Sequence, residues 1–313
     1  MRKIFIMILM FVGLLSGCKN KEVRKDDVVK YLEKLESYSL VCDMSMKKNN
    51  QDINMEISVD YVKPDYYKVG FGNDMKQVIV KNEKGVFVIT PNLNKEFKFD
   101  GSWPNNNPSV YLLNSVCNAI KDKDVTITSS ENEITLECEI THKTNSKITK
   151  MKYICDKKYT PLKIVFCGVD NKEIVVGVIK NFKANPTITL DNFSEEKYLK
   201  KDLPEKENTT SLILEAGYTI EGNQLESSVN EETSTILCYK GDKPYTIVVN
   251  KVNIYPEVVV MEEYSEVVVL NDGLGFVKEN SLRFFHDDYE VTIYSDYLSI
   301  EEFEAISMNL SFA

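Results

Sequence analysis

Histidine is scarce in this 313-residue chain, which has two such residues and a single tryptophan. His142 ends an alternating stretch, and His286 is followed by Asp287 and Asp288. One imidazole beside two adjacent carboxylates is a poor ligand set compared with known zinc sites. We therefore interpret His286 as part of a solvated turn, the alternative being a weak metal site, and we expect no metal.

Catalytic motifs are missing as well. No GxSxG, HExxH or phosphate-loop pattern occurs in the sequence. The adjacent glutamates at 195–196, 231–232 and 262–263 are isolated acidic pairs, which are more typical of a solvated surface than of a general acid and base. The sequence therefore predicts no catalytic residue, no cofactor and a protein that is not an enzyme.

Concentrated positive charge is also absent. The chain has 38 Lys and Arg against 48 Asp and Glu, so its formal net charge is −10 at pH 7. Binding to nucleic acid requires clustered Lys and Arg that neutralise phosphates, so we exclude a nucleic-acid partner. None of the seven cysteines forms a CxxC pair, which leaves zinc or thioredoxin-like chemistry without local support.

Six cysteines lie beyond residue 18, and most of them occupy apolar positions of predicted strands or helices. A free thiol at such a position behaves as a small hydrophobe. Cys155 and Cys167 flank a predicted hairpin around 157–161, so a cross-strand disulfide between these two is the alternative interpretation.

Long apolar runs are absent except at the N-terminus. Two basic residues precede an almost unbroken apolar stretch, 4–15, and small residues then lead into Cys18. This is the arrangement of a bacterial secretory signal that ends in a lipobox. The stretch is about a dozen residues long, against the roughly 20 that a helix needs to span a bilayer. We predict a signal peptide at 1–17 and a diacylglycerol on Cys18; the alternatives are a short membrane anchor and an ordinary signal peptide.

Lipidation of Cys18 would hold the chain at the extracytoplasmic face of the cell membrane, because two or three acyl chains anchor firmly where one is marginal. Cleavage would also remove Arg2 and Lys3, which changes the formal charge from −10 to −12. The membrane is therefore the first predicted partner.

Apolar and polar residues alternate over most of 38–184, which is the pattern of half-buried strands. The first two predicted strands surround the polar turn 49–52. Further strands are predicted at 66–72, 76–82, 85–91, 95–100, 125–129, 133–142, 147–155, 162–168 and 172–183. So many strands joined by short turns indicate one strongly curved antiparallel sheet.

Three helices are predicted. Apolar residues at helical spacing indicate one at 25–37, and Asn107-Pro108 indicates the N-cap and first position of a second. A curved sheet leaves a concave apolar surface, which these two helices are available to cover. Ser299 and Glu302 form a capping-box pattern that opens a third helix, with Leu310 in its buried stripe.

The charged segment 194–210 has few apolar residues and indicates a linker. It divides an N-terminal domain, 18–193, from a small C-terminal α+β domain, 211–313. Strands in the second domain are predicted at 212–220, 234–239, 244–252, 265–270, 274–277, 281–285 and 289–294.

Several phrases of the sequence carry a family resemblance, at 35–38, 63–69, 85–99, 103–106 and 155–163. Their order and spacing resemble the LolA-like lipoproteins and carriers, most of all the GerS-like and YdcC-like sporulation and germination lipoproteins of Gram-positive bacteria. The phrases at 239–247 and 293–303 are similar to a small C-terminal domain of such lipoproteins. This two-domain plan also resembles RseB-like sensors.

The resemblance implies an α+β, mainly β fold: a strongly curved half-barrel sheet covered by helices, with a small second domain. It implies a non-catalytic binding or scaffold protein, and in the GerS-like branch one that assists a cell-wall amidase or another envelope protein in modifying the spore cortex. The alternatives are binding of lipid or lipoprotein acyl chains in a LolA-like cavity, and RseB-like sensing of envelope stress.

If the sheet offers such a cavity, we expect its lining to come from one inward-facing set of side chains: Tyr38, Leu40, Met44, Met55, Ile57, Tyr67, Val69, Phe71 and Phe87. Methionine and aromatic side chains are adaptable, and they suit acyl chains or the hydrophobic segment of a partner. The alternative is that the same residues pack against the two helices as core.

The N-terminal prediction has a direct test. Because diacylglycerol attaches to the thiol, Cys18→Ala should abolish lipidation and leave the signal peptide uncleaved at that site. Intact-mass analysis with membrane fractionation measures both effects. An unlipidated wild-type protein in the culture medium would contradict the prediction.

Overall fold

The computed structural model describes residues 23–48, 51–72, 74–99, 103, 109–142, 145–199, 214–231, 233–252, 266–271 and 273–312. The predicted signal peptide, Cys18 and most of the predicted linker lie outside these ranges. Within them, no helix has both the length and the apolar character that crossing a membrane requires.

Eleven antiparallel strands form the sheet of the N-terminal domain: β1 Ser37–Lys48, β2 Gln51–Val62, β3 Tyr66–Phe71, β4 Gln77–Asn82, β5 Gly85–Thr90, β6 Lys95–Phe99, β7 Thr126–Ser129, β8 Glu133–Glu139, β9 Lys150–Asp156, β10 Pro161–Cys167 and β11 Glu173–Ala184. Their order is β6-β5-β4-β3-β2-β1-β11-β10-β9-β8-β7. The edge strands β6 and β7 do not pair with each other, so the sheet is an open half-barrel, which confirms the predicted fold class.

The β1–β2 hairpin shows how the sheet acquires two different faces. Leu40 lies opposite Val59 in the ladder, and both side chains are buried on the concave side. The next pair along β1, Ser39 and Asp60, points the other way, and the Ser39 Oγ donates a hydrogen bond to Asp60 Oδ1 at 2.6 Å. The period of two in the sequence therefore sets which face packs and which is wet.

Two helices, α1 (Lys25–Glu33) and α2 (Leu113–Asp122), pack on the concave face. Helix α1 ends earlier than predicted, since β1 already begins at residue 37. The predicted start of α2 at Asn107-Pro108 is wrong: those two residues lie outside the described ranges, and the helix begins only at Leu113. Residues 110–112 form a buried turn ahead of it, because all three apolar side chains enter the core.

A second apolar cluster lies on the convex face of β4 and β5: Val78, Val80, Phe87 and Ile89. Two 3₁₀ turns, Leu190–Phe193 and Glu195–Tyr198, lie against these strands, and the buried Phe193 belongs to the same cluster. The first residues of the segment predicted as a linker therefore pack on the sheet.

Glu195 fastens these turns to the sheet. Its Oε1 accepts a hydrogen bond from Lys84 Nζ at 2.5 Å, and its Oε2 accepts one from Asn82 Nδ2 at 2.8 Å. Burial alone would raise the pKa of Glu195, but these bonds outweigh it and hold that pKa below its usual value. The neighbouring Glu96 has the opposite shift, since burial and then the charge of Glu195 raise its pKa.

The second domain has a seven-stranded antiparallel sheet of order β13-β14-β15-β19-β18-β17-β16. A two-stranded pair, β12 with β20, and helix α3 complete it. The bounds are β12 Leu214–Ala216, β13 Gln224–Asn230, β14 Ser234–Lys240, β15 Tyr245–Lys251, β16 Glu266–Leu270, β17 Gly273–Lys278, β18 Ser281–His286, β19 Tyr289–Tyr294, α3 Ile300–Ser307 and β20 Leu310–Phe312.

Two features of this domain differ from prediction. Strand β13 was not expected, because every one of its residues is exposed and its polar sequence has no alternation to detect. Leu310 belongs to β20, where it pairs with Ala216, and not to the stripe of α3. The capping box is confirmed: Glu302 N donates to Ser299 Oγ, and Ser299 N donates to Glu302 Oε2.

The two domains share one apolar core. The Phe97 ring on β6 contacts Phe276 and Phe285 of the second domain, with ring centroids 5.1 and 5.2 Å away. A buried hydrogen bond, from Leu274 N to Gln77 Oε1, joins the sheets beside these rings. The second domain therefore closes part of the concave face that α1 and α2 leave uncovered.

The disulfide alternative for Cys155 and Cys167 is wrong. Cys155 pairs with Pro161 at the turn of the β9–β10 hairpin, whereas Cys167 pairs with Lys150 at its far end. Both thiols are free and buried. Burial, reinforced by the charge of Asp156, raises the pKa of Cys155 to about 12, so this thiol is an inert core group.

The shared core predicts that the domains remain together without a peptide connection. If a protease site engineered into 200–210 is cut, the wild-type fragments should co-elute in size-exclusion chromatography. Phe97→Ala should lower the free energy of unfolding by about 3–5 kcal/mol and let the cut fragments separate. Phe87→Ala, which truncates a similarly buried ring on the convex face, is the matched control; separation in that variant too would contradict the assignment.

The lowered pKa of Glu195 predicts that this residue contributes to stability in a pH-dependent way. Because its folded-state pKa is lowered, the carboxylate stabilises the fold above the unfolded pKa near 4.5, and the contribution is lost as the pH falls through the folded value. Glu195→Gln should therefore destabilise the protein by about 1–3 kcal/mol at neutral pH and by progressively less in acid. Urea unfolding at pH 7 and pH 4 checks this; an equal loss at both would count against it.

Candidate binding cleft

The predicted cavity-lining residues mostly meet on the concave face. Seven of them are buried in its core: Tyr38, Leu40, Met44, Ile57, Tyr67, Val69 and Phe71. Met55 is half-buried and packs against the same core. The register brings these side chains together, since Met44 lies opposite Met55, and Ile57 lies opposite Phe71.

Phe87 is the exception, and its predicted inward orientation is wrong. It belongs to the convex cluster with Val80 and Ile89, while its neighbours Val86 and Val88 face the concave core. Because β5 is buried on both faces, its residues 86–89 are all apolar and the sequence gives no alternation from which to tell the faces apart.

The concave face is occupied by the protein itself, and two of the spaces left among the described residues are lined by its inward-facing side chains. One is a cavity of about 110 Å³ beneath the second domain, with Met44 and Phe166 on one wall and Val268 and Leu274 on the other. The second is a cleft of about 410 Å³ between the C-terminal part of α1, the first turns of α2 and the β2–β3 turn. We call this second space the helix cleft.

Aromatic rings form the floor of the helix cleft. The Tyr61 ring centroid lies 5.0 Å from that of Tyr38 and 4.8 Å from that of Tyr67. Tyr67 in turn contacts Trp103 edge to face, at 5.6 Å. Leu32, Leu35 and Leu113 add apolar walls, so the floor offers a rigid surface for an apolar side chain.

Charged side chains surround the helix cleft in pairs. The ammonium of Lys63 lies 2.8 Å from Glu36 Oε1 and donates to the backbone oxygen of Glu33 at 2.7 Å. Asp65 forms an ion pair with Lys81 at 2.6 Å. These pairs balance one another, so the rim is polar without a dominant charge.

The tyrosine hydroxyls of the helix cleft differ in their partners. Tyr61 Oη donates to the Pro64 oxygen at 3.3 Å. Tyr38 Oη is buried and makes no hydrogen bond. Burial, and then the neighbouring Tyr61, raise the pKa of Tyr38 far above its usual value; the Leu113 backbone acts in the opposite direction without reaching hydrogen-bonding geometry. The hydroxyl therefore lies beside the first residue of α2 and keeps its proton.

The N-terminus of α2 meets the helix cleft without a cap. Its N-cap residue is Leu112, and no side chain caps the helix. Leu113, Asn114, Cys117 and Asn118 of its first turns line the cleft. Burial raises the pKa of Cys117 to about 11, so this thiol stays protonated at neutral pH. The one thiol that lines the cleft is therefore not a ready nucleophile.

The two histidines lie in different domains, and each packs against a phenylalanine. The His142 ring centroid is 5.8 Å from that of Phe166, and His286 stacks on Phe312 at 4.0 Å. Across the described ranges, no group of three or more His, Cys, Asp or Glu side chains is placed to hold a metal.

Sequence reasoning did not single out Tyr61, Asn114 or the uncapped start of α2. The phrase 63–69 was noted as a motif, and it does supply the β2–β3 turn at the rim. The contribution of α2 had no signal, because Leu112 is an unusual residue at an N-cap position.

Comparison with known proteins follows the fold. Sporulation protein YdcC of Bacillus subtilis (strain 168) is 26% identical to this chain over 331 residues, which cover 99% of this chain and 97% of that protein. Among solved structures, the MucA/MucB complex of Pseudomonas aeruginosa matches 91% of this chain and 98% of that chain, with 12% identity and a TM-score of 0.30. A LolA superfamily protein from Nitrosomonas europaea matches 56% and 100%, with 10% identity and a TM-score of 0.33.

TM-scores at this level carry no conclusion about ligand or partner. The family assignment has a different basis. Residues 1–193 match the model of the sporulation protein YdcC-like family. This match spans more than half of the chain and includes every strand of the eleven-stranded sheet. The chain therefore belongs to the sporulation protein YdcC-like family.

Proposed function

We propose that this chain is a lipid-anchored extracytoplasmic protein that binds another envelope protein without catalysing a reaction, and that the helix cleft takes part in this binding. A cell-wall amidase that modifies the spore cortex is the partner class that the resemblance to the GerS-like lipoproteins implies. The observation that carries the proposal is the contrast between a filled concave face and an open cleft at one end of it.

The filling of the concave face argues against a carrier for whole acyl chains. Helices α1 and α2 cover one part of the face, and the Phe276 and Phe285 rings of the second domain close another. The cavity of about 110 Å³ left beneath that domain is smaller than the roughly 300–1,000 Å³ of typical ligand pockets. A lipid would have to displace packed core side chains.

The helix cleft is large enough for part of a partner. Its volume of about 410 Å³ falls within the range of ligand pockets. Aromatic anchors with a polar rim are also the composition of binding hot spots, where one inserted side chain supplies much of the affinity. Acyl-chain binding is the second candidate function, because the same aromatic floor would accept the end of a lipid tail.

Anchoring at Cys18 suits a fixed role. A protein that is held by its own lipid remains at the membrane surface, where cell-wall enzymes act, whereas a shuttle between membranes must be soluble. This supports binding in place over carriage, and it applies equally to an RseB-like sensor that waits for an envelope signal.

Site-specific photo-crosslinking tests the proposal in cells. A photoreactive residue at Asn118, which is exposed at the helix cleft, should form an adduct with a discrete envelope protein. The matched control is Val178, which is exposed on the outer face of β11 and should give none. Mass spectrometry of the adducts identifies the bound species.

The outcomes separate the candidate functions. A protein adduct at Asn118 alone supports the proposal, and a lipid adduct there would favour acyl-chain binding instead. No adduct at the cleft, or equal protein adducts at both positions, would overturn the role of the cleft. Cleavage of peptidoglycan by the purified protein would refute the non-catalytic assignment.

A further inference from the structure

Burial of the unpaired Tyr38 hydroxyl destabilises the folded protein. The side chain is 1% exposed and contributes to the wall of the helix cleft, and its buried Oη has no hydrogen-bond partner. A buried polar group left unpaired costs about 1–3 kcal/mol. Phenylalanine would preserve the ring contact with Tyr61 without this cost. Packing therefore does not account for the hydroxyl, whereas a ligand that accepts its proton in a hydrogen bond would.

The charge of that ligand follows from what surrounds the hydroxyl. The Leu113 backbone, at the first position of α2, is close enough to Tyr38 to act on its hydroxyl. The first amides of a helix have no partner inside the helix, and here no side chain caps them. Such a terminus carries a partial positive charge and attracts anions. A hydroxyl proton and uncapped amides are all donors, so the complementary group is an anionic acceptor.

The rim does not oppose an anion. Asp65 is neutralised by Lys81, and Glu33 by Lys121 at 2.8 Å. Lys63 is paired with Glu36. The Glu36 side chain is 75% exposed and that of Lys63 is 36% exposed, so solvent screens the carboxylate more than the ammonium. The helix terminus therefore tips an otherwise balanced site toward negative ligands.

The remaining lining distinguishes between anions. Asn114 and Asn118 place side-chain amides along the wall, next to the apolar Leu35 and Leu113. A fatty acid would leave these amides unpaired along its tail, but a peptide backbone offers them N–H and C=O groups at every residue. Binding of a chain terminus by backbone amides is also a recurring mode of peptide recognition.

We propose that the helix cleft binds the C-terminal carboxylate of a polypeptide. The carboxylate accepts hydrogen bonds from the Tyr38 hydroxyl and the first amides of α2, and the last side chain packs on the rings of Tyr61 and Tyr67. This inference rests on the proposed binding function, since it names the group that a partner presents to the same cleft.

The single tryptophan supplies the readout. Trp103 contacts Tyr67, which forms part of the cleft floor, so its fluorescence should respond when a ligand enters. The probes are acetyl-leucyl-leucine with a free carboxylate, the same dipeptide as its C-terminal amide, and hexanoate. Titration of the purified full chain should give saturable binding of the free acid, with the amide at least tenfold weaker and hexanoate weaker than the free acid.

Two tyrosine variants test the hydroxyl. Tyr38→Phe should weaken binding of the free acid about tenfold or more, because hydrogen bonds to charged groups are the stronger ones. It should leave the thermal midpoint unchanged or raised, since the hydroxyl has no partner in the free protein. Tyr245→Phe is the matched control, because it removes a buried hydroxyl that likewise has no hydrogen-bond partner but lies in the second domain, outside the cleft lining, and it should leave binding unchanged.

The results separate this inference from the proposed function. Equal binding of acid and amide, or full affinity in Tyr38→Phe, overturns the carboxylate assignment. Hexanoate binding as tightly as the peptide acid replaces the peptide terminus with a lipid carboxylate. If the free acid does not bind but Asn118 still crosslinks to a protein, the inference fails and the proposed function stands. If the free acid binds but Asn118 gives no adduct, the inference stands and the proposed role of the cleft in protein binding fails.

Discussion

The apolar concave face of the eleven-stranded sheet is the constraint on which the rest of the molecule depends. An antiparallel sheet of this size is stable only if one face is removed from water, and a curved sheet exposes a hollow that no single helix fills. Helices α1 and α2 cover part of it. Phe97 at the edge of the sheet packs against Phe276 and Phe285, so the second domain completes the core of the first.

The same constraint produces the two-sided burial of β4 and β5. Their concave residues pack with the second domain and the helices, while Val80 and Phe87 need a separate cover on the other side. Residues 186–199, which precede the second domain, provide this cover, and Glu195 attaches them to the sheet. The charged segment 194–199 packs there because Glu195 is paired with Lys84 and Asn82 of the sheet, next to the buried Phe193.

Much of the fold could be predicted from periodicity, because most strands have one dry and one wet face. The β1–β2 hairpin and the strands β8 and β9 follow directly from alternation. The failures occur where alternation carries no information: β5 is apolar on both faces, so Phe87 was misplaced, and β13 is polar on both, so it was missed. The start of α2 was misplaced for another reason, because the proline signal at 107–108 was stronger than the uncapped Leu112.

The site was harder to predict than the fold, since it is defined by contacts between distant segments. In the sequence, Tyr38 and Tyr61 are ordinary inward positions of two strands. Their hydroxyls differ in hydrogen bonding only in the folded protein, where α2 packs beside them.

A sequence that specifies one structure normally satisfies its buried polar groups and caps its helices, so a place where both rules are broken is expected to be functional. Here the two departures, an unpaired Tyr38 hydroxyl and an uncapped α2, belong to residues that line the same cleft. Either alone would be an ordinary imperfection. Together they offer donors and no acceptor, and that shared polarity is what connects the packing of the half-barrel to the binding role that we propose.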